Sequence, residues 1–305
     1  MNSVTEKLLS IVSDWKGTFD GAFNIRQDGE CAGRQSTRNI QIESKTDAPG
    51  LVIHVLPGTK NETVWIPACV TRGNVDDLVY NDFYIGEGAD VVIVAGCGVH
   101  TDTEEEARHN GIHRFFVEKG ARVVYREKHI GIGKGSGAKR IDPVTDATLA
   151  EDAVLEMDTV QLGGVDSTLR KTSAVLSARA RLIIRERLMT AGNETAKTDF
   201  EVTLNGEDSG VDLVSRSVAK GISLQQYSSR IIGNNRCTGH SECDAILADH
   251  GRVTAAPELS ANHIDAALIH EAAIGKIAGE QIMKLRTLGL TEQEAEEKII
   301  AGFLK

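Results

Sequence analysis

Two thiols, one imidazole and two acids fall within eight consecutive residues, Cys237-Thr238-Gly239-His240-Ser241-Glu242-Cys243-Asp244, and a second polar pair, His270-Glu271, begins 27 residues after Cys243. Thiolate is a soft ligand suited to iron-sulfur clusters, zinc or copper(I), whereas imidazole and carboxylate hold the same metals less tightly. A site mixing the two could assemble a metal cluster and then release it. The spacing Cys237-x2-His240-x2-Cys243 is ligand-like, yet it supplies three donors where a closed structural zinc site takes four. His250, His263 or His270 could be the fourth. The plainer alternative makes the two cysteines small residues of a strand edge and His240 a turn residue.

Other polar groups suggest less. Thr103 followed by Glu104-Glu105-Glu106 reads as a helix N-terminus, with the acids at its positive end, and predicts a helix over about 103–119 that stops at Gly120. His109 and His113 would then share one face, a pattern that suits a divalent-metal pair but more often marks a solvated helix face. Asn110 stands where a zinc protease would need its glutamate. The run Gly131-Ile132-Gly133-Lys134-Gly135-Ser136-Gly137-Ala138-Lys139 lacks the Gly-Lys-Ser/Thr ending of a phosphate loop, so the chain is not expected to hydrolyse ATP itself. Cys97 closes an apolar run, where most cysteines are inert packing groups. Cys31 and Cys69 have no informative neighbours.

The elements that must position these groups follow from periodicity. Leu8, Leu9, Ile11, Val12 and Trp15 recur at helical spacing behind a capping-box pattern at Ser3-Val4-Thr5-Glu6, with Gly17 as the stop. From about Phe23 the period becomes two. Short runs such as Leu51–Leu56, Thr63–Ile66, Val91–Ala95, Ala121–Tyr125, Ala153–Met157, Arg181–Arg185, Phe200–Leu204, Val211–Val214, Ile222–Leu224 and Ala245–Leu247 are separated by Gly, Asn, Asp and Ser turns. Such spacing suits a β-solenoid; a sandwich or barrel would also produce it. An aromatic content of only 4% favours the thin solenoid core. Near the C-terminus, Leu285, Leu288 and Gly289, then Thr291-Glu292-Gln293-Glu294, predict two helices joined by a tight turn. Ala266–Ala272 reads equally as strand or helix. These elements divide the chain into an N-terminal helix (1–20), a β core (21–258) holding the 103–119 helix, and a C-terminal segment (259–305) made of a strand end followed by helices.

Net charge is −10, from 34 basic and 44 acidic residues, and no long basic block occurs. Nucleic acid and anionic membranes are therefore not expected partners. The longest apolar stretch, Val91–Ala95, is far short of a membrane span, and the first residues lack a basic head and apolar core. Five cysteines without a secretory pattern predict reduced thiols and a cytoplasmic setting.

Gly239–Asp244, His270-Glu271-Ala272-Ala273-Ile274-Gly275-Lys276-Ile277, Glu280-Gln281, Leu288-Gly289-Leu290 and Ile300-Ala301-Gly302-Phe303-Leu304 together, in this order, closely resemble the SufB/SufD family of iron-sulfur cluster assembly scaffolds. The likeness is strong over roughly the last 70 residues and looser from about 90 to 236. It implies a mainly β fold, a right-handed parallel β-helix with helical ends, in which the His270-Glu271 stretch is a final strand. It also implies that Cys243 is the cluster-forming cysteine, with His270 and Glu271 beside it, which leaves Cys237 and His240 as second-rank candidate ligands. The cargo would be a transient iron-sulfur cluster. The implied partners are a SufC-like ABC ATPase docking at the C-terminal helices of segment 259–305, a second scaffold subunit, a sulfur donor and recipient apoproteins.

Two departures stand out. B-type scaffolds carry the cysteine and glutamate and D-type scaffolds keep the histidine, whereas this chain has Cys243, His270 and Glu271 together; a symmetric homodimer could then replace a pair of paralogous subunits. Cys97 falls near the place of the family's sulfur-accepting cysteine, but Lys128-His129-Ile130 stands where the glutamine and tryptophan of its sulfur route are expected. Two readings compete with the scaffold: a β-helical interaction protein with structural zinc on Cys237, His240 and Cys243, and a polysaccharide-acting β-helix enzyme, which the few aromatics disfavour.

Overall fold

A computed structural model describes all 305 residues, Met1–Lys305. The chain winds as a β-solenoid of about eight turns. Helix α1 (Ser3–Val12) precedes it, and α2 (Gly279–Arg286) and α3 (Glu292–Phe303) follow it. One face is a sheet of β1 (Ala22–Gln27), β2 (Glu30–Gln35), β5 (Lys60–Trp65), β6 (Ala68–Val70), β8 (Asp90–His100), β10 (Arg122–Ile132), β13 (Val154–Gln161), β15 (Arg181–Thr190), β17 (Ser209–Ala219), β19 (Cys237–Leu247) and β21 (Ala266–Gly275). The opposite face holds β3 (Ile40–Ser44), β4 (Gly50–Val55), β7 (Val75–Ile85), β9 (Ala107–Val117), β11 (Lys139–Ile141), β12 (Val144–Leu149), β14 (Ser167–Leu176), β16 (Thr195–Leu204), β18 (Leu224–Gly233) and β20 (Arg252–Ala261). Apart from the antiparallel pairs β1–β2 and β3–β4, neighbouring strands run parallel.

The corners show why this sequence winds. Gly88, Gly120, Asp152, Arg179 and Asp208 all have φ between +56° and +64° and each opens a strand of the first sheet. The alanine that follows four of them (Ala89, Ala121, Ala153, Ala180) is fully buried, so a left-handed corner residue turns the chain and a small side chain fits inside the bend. Between corners, alternate residues point inward. Val91, Ile93, Val123, Leu155, Leu182, Ile184, Val202, Leu204, Val211 and Leu213 build one continuous core, each stabilising the fold by about 1.5–3 kcal/mol of burial. Within this core Phe83 stacks on Phe115 at 4.6 Å and Tyr125 meets it edge-on at 5.2 Å.

Two sequence expectations change. Residues 107–117 form β9, so the helix predicted over 103–119 is absent. Ala107, His109, Gly111, His113, Phe115 and Val117 all face inward, a period of two, and the Thr103 hydroxyl accepts from the Glu105 amide in a turn instead of opening a helix. A spacing of four puts His109 and His113 on one face of a strand as readily as of a helix, which is why the pair misled. Neither lies on a solvated face: their relative exposures are 1% and 4%. Helix α1 is capped by Asn2, whose Oδ1 accepts from the Thr5 amide at 2.8 Å, and not by a box starting at Ser3. It packs on β8 where Gly96 and Gly98 leave room; a Cβ at Gly96 would lie 2.3 Å from the Val12 carbonyl oxygen. At the other end, β20 and β21 complete a last coil through Gly275 ahead of the C-terminal helices. The box at Thr291 forms as expected, with Glu294 N donating to Thr291 Oγ1 at 3.2 Å and Thr291 N donating to Glu294 Oε2 at 2.8 Å.

The glycine-rich run 131–139 crosses between coils. The amides of Gly135 and Gly137 donate to the carbonyls of Thr101 and Thr103 on the neighbouring coil, so they are committed to structure and do not form a free anion cradle. No helix of the chain is long and apolar enough to cross a membrane.

Candidate functional site

Strand parity decides what the chemical residues can do together. On β19, Cys237, Gly239, Ser241, Cys243 and Ala245 point inward, while Thr238, His240, Glu242 and Asp244 point outward. Cys237 and Cys243 therefore share a face but stand six residues apart, about 20 Å at 3.3 Å per residue. His240 is on the other face. The three cannot close around one ion, which removes the structural zinc reading. All five cysteines are free.

In-register pairing carries this alternation to β21. His270 lies opposite Ser241 and Glu271 opposite Glu242, while Cys243 lies opposite Ala272. His270 thus belongs to the inward row with Cys243, roughly 8 Å away on the diagonal between adjacent strands. Its Nδ1 is buried and has no hydrogen-bond partner. A buried ring nitrogen without a partner is costly and is a donor set ready for a ligand. Glu271 points outward, with its side chain 67% exposed and Oε2 3.7 Å from His240 Nε2. Within one chain, then, Cys243 and His270 come together and Glu271 stands on the opposite side of the strand.

Burial sets the chemistry of the thiol. Cys243 is 1% exposed, and burial, reinforced by the charges of Glu186 and Asp244, pushes its pKa up to about 12. It is a neutral thiol at physiological pH, and a metal ion that binds there must displace a proton. Burial also raises the Cys237 thiol, and it drives that of Cys97 well above the ordinary range.

Outside the last coils, Asp212 of β17 accepts from His240 Nδ1 at 2.8 Å and from Arg185 Nη2 at 2.6 Å. The Asp212 contact raises the His240 pKa, and partial burial and the neighbouring Asp244 raise that of Glu242. His240, Glu242 and Glu271 each offer a ligand atom, and these atoms lie within 4.8 Å of one another.

A second group, inside the solenoid, went unseen in the sequence. Arg26 pairs with Asp77 at 2.7 Å, and His109 Nδ1 lies 3.0 Å from the same carboxylate. The Tyr125 hydroxyl donates to Glu127 Oε1 at 2.8 Å and lies 2.9 Å from His113 Nδ1. Arg170 joins Glu127 at 2.6 Å to Glu186 at 3.5 Å, and Ser215 donates to Glu186 at 2.6 Å. Although burial opposes it, the His129 ring and the Arg170 guanidinium hold the Glu127 carboxyl well below its usual range. Burial lowers His113 to about 4. This polar row starts beside Cys97, which is in register with His129, and ends at Ser215, which is in register with Cys243. Continuing the parity of Val123 and Tyr125 along β10 would have placed Glu127 and His129 inside.

The family model of the SUF system FeS cluster assembly, SufBD core domain, matches residues 80–303. The chain belongs to the SufBD family. Among curated SufBD family iron-sulfur cluster assembly proteins, it is 29% identical over 270 residues to one of Methanothermobacter thermautotrophicus (strain Winter), covering 86% of this chain and 64% of that protein. It is 29% identical over 261 residues to one of Archaeoglobus fulgidus, covering 85% and 69%, and 24% identical over 238 residues to one of Methanocaldococcus jannaschii, covering 77% and 74%. The chain therefore spans somewhat less than two thirds of the length of the first of these SufBD relatives.

Proposed function

We propose that this SufBD chain is a scaffold on which a nascent iron-sulfur cluster is assembled at the open C-terminal end of the solenoid. The observation that carries the reading is the buried, unpartnered Nδ1 of His270 in the same inward row as Cys243. Cys243 would anchor iron and sulfide, and His270 would supply a more exchangeable nitrogen. Glu271 faces away from both, so the full set closes only if a second subunit contributes across the end.

The end itself supports such pairing. β20 and β21 are the last strands of their sheets, each ten residues long, with one edge unpaired. Their inward-facing Leu259 and Ile274 remain 37% and 40% exposed because no further coil covers them. Long bare edges with apolar flanks normally find a cover. A second copy of this chain, related by a two-fold axis, is the proposed cover; a paralogous subunit is the alternative that mixed-mass sedimentation would reveal.

The exposed Met283 and Leu288 on and beside α2 form the proposed docking place for a SufC-like ABC ATPase, whose hydrolysis would open the subunit interface. Cys97 is buried, with the pKa of its thiol driven well above the ordinary range, which disfavours it as an acceptor of sulfur from a donor protein, and recipient apoproteins would draw on the finished cluster. The chain itself acts as the non-ATPase subunit, in the cytoplasm.

Anaerobic reconstitution with iron(II) and sulfide tests the core of the reading. Cys243→Ala should lose the visible absorption of the cluster while its far-ultraviolet circular dichroism stays unchanged. A normal cluster spectrum in that variant would remove Cys243 from the assignment.

A further inference from the structure

Glu242 and Glu271 stand directly opposite each other on adjacent parallel strands, both on the outer face. Like charges in that relation destabilise a sheet unless a cation lies between them. Elsewhere on this face a similar conflict is relieved by side chains. Arg187 and Arg216 are also opposite one another, but Arg187 pairs with Asp158. The acidic pair has less help. Arg216 Nη2 lies 4.0 Å from Glu242, Arg185 is already committed to Asp212, and Lys305 lines the same cavity as Glu242.

What does face the two carboxylates is an oriented imidazole. Asp212 holds His240 Nδ1 at 2.8 Å, which turns Nε2 outward, 3.7 Å from Glu271 Oε2. A carboxylate fixing the far nitrogen of a histidine is the arrangement that orients metal-binding imidazoles. The backing charge and the two ring nitrogens are therefore set as a ligand requires, and the three ligand atoms lie within 4.8 Å of one another, close enough to contract around one ion.

We propose that His240, Glu242 and Glu271 form a mononuclear divalent-cation site on the outer face, with Asp212 as the positioning residue and iron(II) as its natural ion. One nitrogen and two carboxylate oxygens suit a divalent first-row metal with room for water, and not copper(I) or a sulfide-bridged cluster. The choice of iron rests on the cluster-assembly reading; the geometry of the site does not. The ion would sit one residue along from Cys243 and on the other side of the same strand, so iron and thiol are held apart until the end of the solenoid is engaged.

The test is titration of the full metal-free chain under anaerobic conditions, with Co2+ followed by visible absorption and Fe2+ by calorimetry. One ion per chain is expected. His240→Ala and Glu242→Gln should each weaken it at least tenfold, Asp212→Asn less, and Cys243→Ala and His270→Ala should leave it within twofold. Unchanged affinity in His240→Ala or Glu242→Gln overturns the proposal, as does loss of the ion in Cys243→Ala. The two readings fail separately. Cluster formation that depends on Cys243 beside cation binding indifferent to His240 would sink only the outer site. The reverse pattern would sink only the assembly assignment.

Discussion

The middle of the solenoid and its C-terminal end are made from the same strand pattern, yet they hold their ionisable groups differently. In the middle, Asp77, Glu127, Arg170 and Glu186 are buried but paired, each carboxylate with a cation or a hydroxyl within hydrogen-bond reach. At the end, His270 keeps a buried nitrogen without a partner, and inward-facing Leu259 and Ile274 remain partly exposed. A solenoid coil is stabilised by the coils on both sides, so the last one is incomplete by construction. Where the stack stops, side chains that would otherwise be core become available for binding. On the proposed reading, the middle supplies stability and the end supplies the chemistry.

The largest expected effect comes from breaking the middle. Arg170→Met would leave Glu127 and Glu186 facing each other without their shared cation, which should cost about 3–5 kcal/mol in urea denaturation. A loss near that of an ordinary surface substitution would show that the buried row is not structural. A smaller effect follows from His113, which burial holds at about 4 against an ordinary 6.5. Because the folded form keeps the ring neutral, the unfolded chain binds more protons as pH falls. Stability should therefore be intact above about 6.5 and drop by roughly 3 kcal/mol as pH approaches 4. His113→Gln should flatten that part of the pH profile; an unchanged slope would assign it to other groups.

The end of the solenoid should respond differently. Leu259→Lys combined with Ile274→Lys should shift sedimentation from dimer to monomer with little change in thermal stability, since both side chains are already partly exposed. A large loss of stability, or no change in mass, would contradict the division between the two regions.

How far the sequence reached follows the same physical line. Short strands between turn signals were compatible with a solenoid and equally with a sandwich or barrel, and the family resemblance decided between them; the repeat of 27 to 29 residues between paired strands of the first sheet is visible only in the structure. The final strand through His270-Glu271 was ambiguous by pattern and came from the family resemblance. β9 was missed because Thr103 and three glutamates imitate a helix start, while the inward face of the strand contains Gly111 and two histidines in place of aliphatic residues. At the site, the residue types were readable and their grouping was not. Cys-x2-His-x2-Cys looks like one unit on paper, but an odd spacing of three on a strand sends His240 to the outer face with Glu242 and Glu271. The buried row escaped notice because its members lie on separate coils, with Glu127 and Arg170 43 residues apart.

Cys237 and Cys243 provide the most direct test of the central claim, being two inward-facing, buried cysteines on one strand that differ in their neighbours. Anaerobic cluster reconstitution of Cys237→Ala and Cys243→Ala, followed side by side by visible absorption and iron content, separates position from residue type. Cys243→Ala should lose the cluster and Cys237→Ala should retain it. Clusters that survive in Cys243→Ala, or vanish equally in both variants, would contradict it.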